Sequence, residues 1–535
     1  MIIKKISLIL FTGLAMLLMF GMNSAFANTK ITYNLGQESK TIDPQLVAGR
    51  TGAAVDATCM EGLTRSKING QVVPGIAKKW DISKDGKIYT FYLRKDAKWS
   101  NGEPVTAQDF VFGIKRALMP STASVYAYFL YNIKNAEAYN TGKIKDFSNV
   151  GVKALNDHTV QYTLNGPCTY FLQVVGASTS FPCNEKFYNK VKKNYALTPK
   201  DMIYDGPWKL TKWITGAGGK FVFKKNPYYW NKKNIKIDEL QYDLIVNKNT
   251  AANMFRTNQL DFTSISGNQL IQFKDSKDLI QKMDGGAKYL QFNLLNKYLK
   301  NQKIREAITL AINRQELTKF ILKDGSVPAY AWVPPGIKGP DGKTFREAYG
   351  NYNIKENVVK AKKLLAEGIK ELGVKAPIKL KILTANDNAS QKVCVFIQQQ
   401  LRKNLGIDVS LDVETYQGRL QKMTDHSYQI SYCGWGPDYN DPMTFLNLWI
   451  TNGTNNSSHF SNRSYDKLIN ETMKSSSDSK RMVYMHQAEE ILMKELPVAP
   501  LFYSSKNYLV KPWLKGVLYR TTSPNISFYW AHVQK

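Results

Sequence analysis

Periodicity divides the chain into a strand-rich first half and a second half in which helices and strands alternate. Residues 30–35, Lys-Ile-Thr-Tyr-Asn-Leu, alternate with period two and predict a short strand running into the turn-prone Thr41-Ile42-Asp43-Pro44. Within 78–99, Ile88, Thr90 and Tyr92 alternate with Tyr89, Phe91 and Leu93 after Asp85-Gly86, the pattern of a hairpin. Phe110, Val111, Ile114 and Leu118 then recur at helical spacing, with Thr106 placed to cap that helix and Asp109 at its electropositive end. Strand patterning returns at 160–164, 208–213 and 221–223. The glycine run 216–219 invites a phosphate-loop reading, but Phe221 follows Lys220 where such a loop needs Ser or Thr. A hairpin turn between the flanking strands is expected instead. Helices are predicted over 304–322, 355–372, 390–404 and 479–494, separated by strands such as 378–383 and 409–413, which together point to α/β lobes. No internal repeat or coiled-coil heptad is visible.

The amino-terminal pattern is of another kind. Lys4 and Lys5 precede the run 7–22, which falls short of the ~18 apolar residues of a spanning helix, and Ala25-Phe26-Ala27 comes directly after it. This predicts a secretory signal, residues 1–27, cleaved after Ala27. No cysteine precedes Cys59, so no thiol stands beside the cleavage site to carry a lipid anchor, and an exported, soluble chain is expected. The mature chain is too long for one core, so two or three domains are expected. A hydrophobic content of 43% and an aromatic content of 12% are ample to pack them.

Charge and cysteine narrow the function classes less. Residues 1–27 carry two lysines and no acid, so their removal changes the formal charge from +30 to +28. Lysines are spread along the chain rather than gathered in one arm, which favours a solvated basic surface over a nucleic-acid-binding one. The five cysteines have no CxxC spacing; Cys168 and Cys183 are near enough to pair, and isolated buried thiols are the alternative. The five histidines are scattered without zinc spacing, and no GxSxG elbow, Walker A loop or dinucleotide fingerprint occurs. A secreted hydrolase with paired carboxylates is the enzymatic alternative, but nothing selects the pair. One acidic segment stands out: Gly434-Trp435-Gly436-Pro437-Asp438-Tyr439-Asn440-Asp441-Pro442 comes after a strand-like run and gathers turn formers, two aromatics and two carboxylates, as a strand-end turn or a binding loop.

At this loop the chain resembles the oligopeptide-binding proteins of bacterial peptide ABC importers, within the dipeptide, oligopeptide and nickel solute-binding family. The resemblance is carried in order by AKKWDISKDGKIYTFYLRKDAKWSNGEPVTAQDFV (77–111), DGPWKL (205–210), NPYYW (226–230), Phe292-Asn293, IREAITLAINR (304–314), GWGPDYNDPMTFL (434–446) and PVAPLFYSSKNYLVKPW (497–513).

It implies an α/β fold of the periplasmic-binding-protein type II kind, two hinged lobes plus an additional inserted lobe. The first lobe would be discontinuous (28–60, 182–285 and 500–535), the second inserted at 61–181, and the third would span 286–499. Short peptides would bind between the first and third lobes as an added strand, with hydrated pockets for their side chains. Ala48, Gly49 and Arg50, with Gly434 and Gly436, match the segments that supply main-chain bonds. Trp435 would add an apolar wall. Asp438 matches the carboxylate that pairs with the ligand's α-amino group, while Asp441 is expected to be structural.

The resemblance further implies a periplasmic monomer that hands peptides to a membrane permease and uses no cofactor, metal or nucleic acid. A chelate or a cell-wall peptide is the alternative solute. The sequence departs from the oligopeptide pattern where basic groups for the peptide carboxylate are expected, at Ser390, Met423 and Tyr432. Gly286 and Gly436 replace its disulfide, and Ala48 and Gln291 replace acidic positions.

Overall fold

The computed structural model describes residues 29–534 except 48, 68–70, 217 and 454. The signal segment and its cleavage point therefore lie outside the described residues, as does Ala48. Among the described residues no helix is long and apolar enough to cross a membrane.

A large mixed sheet runs through the molecule. From one edge its strands are Asp408–Glu414, Lys379–Ala385, Ile430–Trp435, Leu279–Phe292, Val498–Val510, Phe262–Ile265, Lys30–Asn34, Glu239–Asp243, Lys220–Lys225 and Trp208–Ile214. Lys379–Ala385 reaches its parallel neighbour Asp408–Glu414 through helix Asn388–Leu405. The predicted hairpin is present, with Trp208–Ile214 and Lys220–Lys225 antiparallel on either side of the glycine run.

Two strands join the halves of the sheet. Leu279–Phe292 pairs along Val498–Val510, and its end, from Ala287 to Phe292, also pairs with Ile430–Trp435. The other end of Val498–Val510 pairs with Phe262–Ile265. Register slips between Met283 and Ala287, where Gly285 adopts φ +71 and a β-carbon would come 2.7 Å from Thr521. Beyond this bulge Leu290, Phe292, Ile304, Ile308, Ile382, Ile397 and Leu401 form one apolar core between the sheet and helices Gln302–Leu310 and Asn388–Leu405. The larger core lies on the other side and includes Tyr33, Trp208, Phe221, Phe262 and Trp332.

Residues 77–163 build a separate antiparallel sheet, in the order Ala77–Ile82, Ile88–Leu93, Thr159–Thr163, Val152–Asn156. Tyr89, Phe91 and Leu93 point inward, as the alternation predicts. Helix Ala107–Leu118 covers the sheet with Phe110, Ile114 and Leu118, and the Thr106 N–H donates to the Asp109 carboxylate at its start (2.8 Å).

The helix expected over 304–322 is two elements. Gln302–Leu310 ends before Asn313, which caps a fresh start by accepting the Glu316 N–H (2.9 Å), and wide turns continue over Leu317–Leu322. The break is stabilised by buried Arg314, whose guanidinium satisfies the carbonyls of Thr309, Ile312 and Pro500 (3.1, 3.2 and 2.8 Å). The other three predicted helices occur as Val358–Leu372, Asn388–Leu405 and Asp478–Glu495. All five cysteines are buried free thiols, so Cys168 and Cys183 do not pair.

Candidate functional site

The acidic loop is anchored from three sides. Asp441 is buried and takes both nitrogens of Arg481, from helix Asp478–Glu495, at 3.0 and 3.1 Å. Arg481 also donates to Thr169 (2.6 Å). Tyr439 stacks face to face on Tyr170 at 3.9 Å, and the Asn440 N–H donates to Gln173 (2.8 Å). Asp441 is thus structural, as expected, and its clamp holds the neighbouring Asp438 in place.

Asp438 has different surroundings. Its N–H donates to Thr444 Oγ1 (3.1 Å), and its carboxylate accepts from the Tyr128 hydroxyl (3.1 Å). Among the described residues no cation stands within ion-pair distance of it. Burial pushes its carboxyl up to about 6, opposed by the Tyr128 hydrogen bond and the more distant Arg50. Burial and the nearby Asp438 likewise push the Tyr126 phenol up to about 12.

Helix Arg50–Cys59 brings the other candidate segment across. Gly49, Arg50, Gly434, Trp435, Gly436 and Asp438 line one cavity of about 380 Å³, with Tyr126, Phe129 and Tyr416. Arg50 reaches Asp284 (3.4 Å) and crosses Gly436 so closely that a β-carbon there would lie 2.6 Å from its Nη2. Gly434 is pressed in the same way by the Lys288 ammonium.

The strand that leads into the loop is open on one side. Ile430–Trp435 pairs with Leu279–Phe292 from Ile430 to Trp435, but with Lys379–Ala385 only through Ile430 and Ser431. Its remaining edge offers main-chain donors and acceptors to an incoming strand. On the far side of Trp435 a second cavity, about 920 Å³, is lined by Tyr289, Gln291, Arg419, Met423, His426 and His459, among others. Gln291 donates there to Tyr428 and Ser457 (3.0 and 2.6 Å).

Residues 71–457 match the family described as "Bacterial extracellular solute-binding proteins, family 5 Middle". The chain belongs to this family. It is 36% identical to the oligopeptide-binding protein OppA of Bacillus subtilis over 508 residues, 93% of this chain and 92% of that protein. It is 34% identical to the dipeptide-binding protein DppE of the same organism, over 91% of this chain and 89% of that one. The solved structure of Listeria monocytogenes OppA bound to peptide superposes with a TM-score of 0.81 at 33% identity, covering 95% of this chain and 100% of that one. The resemblance carried by the sequence blocks is therefore borne out, and the fold is the type II periplasmic-binding fold.

Several residues of the site escaped the sequence reading. Tyr126 and Tyr128 come from residues 77–163, which carry the separate antiparallel sheet, and gave no signal of their own. His426 and His459 lie 33 positions apart in the numbering, yet their rings approach to 3.9 Å. Arg419 had a usable signal: it precedes Met423 by four residues on the helix Tyr416–Thr424, the spacing that places two side chains on one face.

Proposed function

We propose that this chain captures short peptides and delivers them to the permease of an ABC importer, acting as a binding protein and not as an enzyme. The observation that carries this is Asp438, a carboxylate without a cationic partner among the described residues, at the end of a strand whose edge is free. An extended peptide pairs with the edge at Gly434–Gly436, and its α-ammonium supplies the missing cation. Gly49 and Arg50, preceded by Ala48, approach from the opposite wall, and Trp435 packs against the ligand's first residues.

The lobes we propose are 28–60 with 182–285 and 500–535, then 61–181, then 286–499. They turn about the two long strands, where the Asp284–Gly286 bulge interrupts the pairing. The working form is an exported monomer, cleaved after Ala27 and free of lipid. Native mass spectrometry of freshly purified protein tests the reading. A series of co-purified peptide masses is the expected result; a single chelate mass, or turnover of a peptide panel, would overturn it.

Affinity has a worked pH dependence. The peptide needs Asp438 ionised, and its carboxyl lies at about 6 in the unliganded protein, so protons compete with the ligand below that pH. Peptide α-amines lose their proton above ~8. Binding is expected to be strongest between these limits and to weaken roughly tenfold per pH unit on the acid side. Calorimetric titration from pH 4.5 to 8 checks this, with an N-acetylated peptide expected to lack the acid limb.

A further inference from the structure

Lysine is spread along the whole chain, but net charge is not. Residues 186–236 hold thirteen lysines against two aspartates, a formal +11 in 51 positions, whereas the stretch that follows, 237–285, carries −2. The chain after Ala27 carries +28, so about a tenth of it supplies more than a third of the excess. Of the two aspartates, Asp205 is buried. Ten of the thirteen lysines are exposed and the other three half-buried.

The fold gathers these residues on one outer surface. Strands Trp208–Ile214 and Lys220–Lys225 turn Phe221 and Phe223 inward, which leaves Lys209, Lys212, Lys220 and Lys224 on the outer face. Lys209 and Lys224 stand directly opposite each other in the register, a like-charge pair that costs stability. The turn Pro199–Asp201, which holds Lys200, packs on the first of these strands. From the other side Lys186 reaches Glu103 (3.4 Å), and the neighbouring Gly102 lies against the ring of Tyr228, shortly before Lys232 and Lys233. Besides Lys186, only Lys225 has a carboxylate within ion-pair distance among the described residues, Asp238 at 2.7 Å. The other eleven lysines have none there.

Two large apolar side chains stand among these cations. Leu197 is 60% exposed and Tyr228 44%. Lysines around an exposed leucine and tyrosine suit a headgroup layer, where the ammonium groups meet phosphates and the apolar groups sit just beneath them. The peptide cleft lies elsewhere. Strand Lys220–Lys225 is six strand spacings, about 29 Å along the sheet, from the open strand Ile430–Trp435. Salt screens exposed charges beyond ~8–10 Å, so the partner of this face is not the peptide at Asp438.

We infer that the face built by residues 186–236 docks on a bilayer surface rich in anionic phospholipid. The occupant is a headgroup layer and not a single small anion, because the unpaired ammonium groups are spread over the helix Glu185–Val191, two strands and the turns between them and do not converge on one point. For a chain exported without a lipid, as proposed above, such attraction holds it beside the membrane that contains its permease. Each lysine close to an anionic leaflet adds a modest increment, and the increments sum over the face. The inference is independent of which solute fills the cleft.

Co-sedimentation with vesicles tests it, comparing equal parts phosphatidylglycerol and phosphatidylcholine with phosphatidylcholine alone. Wild-type protein is expected to bind the anionic vesicles and not the neutral ones, and binding should fall as salt rises. A fourfold variant of the face, Lys193→Gln, Lys212→Gln, Lys224→Gln and Lys233→Gln, should bind roughly 100- to 1,000-fold more weakly. A second fourfold variant of equal net charge, Lys300→Gln, Lys355→Gln, Lys362→Gln and Lys370→Gln, lies outside the face and should bind nearly as wild type does. All eight positions are exposed, so neither set of changes disturbs a core. Equal losses in the two variants would mean that overall charge, and not this face, attracts the protein, and would overturn the inference. Absence of binding to the anionic vesicles, or equal binding to both kinds, overturns it too, as does binding to soluble polyphosphate without binding to anionic vesicles.

Discussion

Arg481→Met is expected to destabilise the protein by about 3–5 kcal/mol, the cost of leaving one charge of a buried pair uncompensated. Arg481 and Asp441 are 2% and 1% exposed, so neither charge can return to water in the folded state. The Asp441 carboxylate would keep its donation from the Met443 N–H (3.0 Å) and lose both guanidinium bonds. Thr169 would lose its donor as well, loosening the contact between the acidic loop and the residues around Thr169–Gln173. Chemical denaturation at an unchanged slope measures the loss. Asp441→Asn alone should cost a similar amount, and the double variant less than the two together, because it removes both buried charges. Single losses below about 1 kcal/mol, or losses that merely add, would show that the clamp does not hold the loop.

The clamp also shows where sequence reasoning ran out. Asp441 was separable from Asp438 by its place before Pro442, but its partner lies 40 residues on in a helix, and no local pattern joins them. Short half-buried elements were legible because one face is wet: the alternation at 88–93 and the spacing of Phe110, Ile114 and Leu118 each mark a side. The two long strands gave no alternation. Leu279–Phe292 is buried on both faces from Asp284 to Ala287 and again from Tyr289, and Val498–Val510 is buried over most of its length, so period two disappears. The expected helix over 304–322 ran past a cap at Asn313 because its apolar spacing continues through the break. At the site, the resemblance supplied Gly49, Arg50, Gly434, Trp435, Gly436 and Asp438, and these do line one cavity. The companions Tyr128 and Arg419 depend on tertiary placement. Arg419 in particular looks like an ordinary helix-surface cation until the strand beside it is known to be open.

Asp438→Asn is expected to weaken peptide binding by about 2–5 kcal/mol, or roughly 30- to several-thousand-fold. The amide keeps the shape and still accepts from the Tyr128 hydroxyl, so the change removes charge more than structure. Lost affinity alone would not identify the partner, since a disturbed loop also binds poorly. N-acetylation of the peptide removes the charge from the other side. If the two groups meet, wild-type protein prefers the free amine by the full factor, and Asp438→Asn loses most of that preference. The coupling in this cycle then approaches the single losses, because once either charge is gone the other has nothing left to lose. Arg50 supplies a control for the cycle. It lowers the Asp438 carboxyl from a distance and is tied to Asp284 at 3.4 Å, so it does not replace the ligand's ammonium. Arg50→Met should therefore leave the preference for a free amine in place while changing overall affinity. Losses that add in the Asp438 cycle would mean that the amine is held elsewhere.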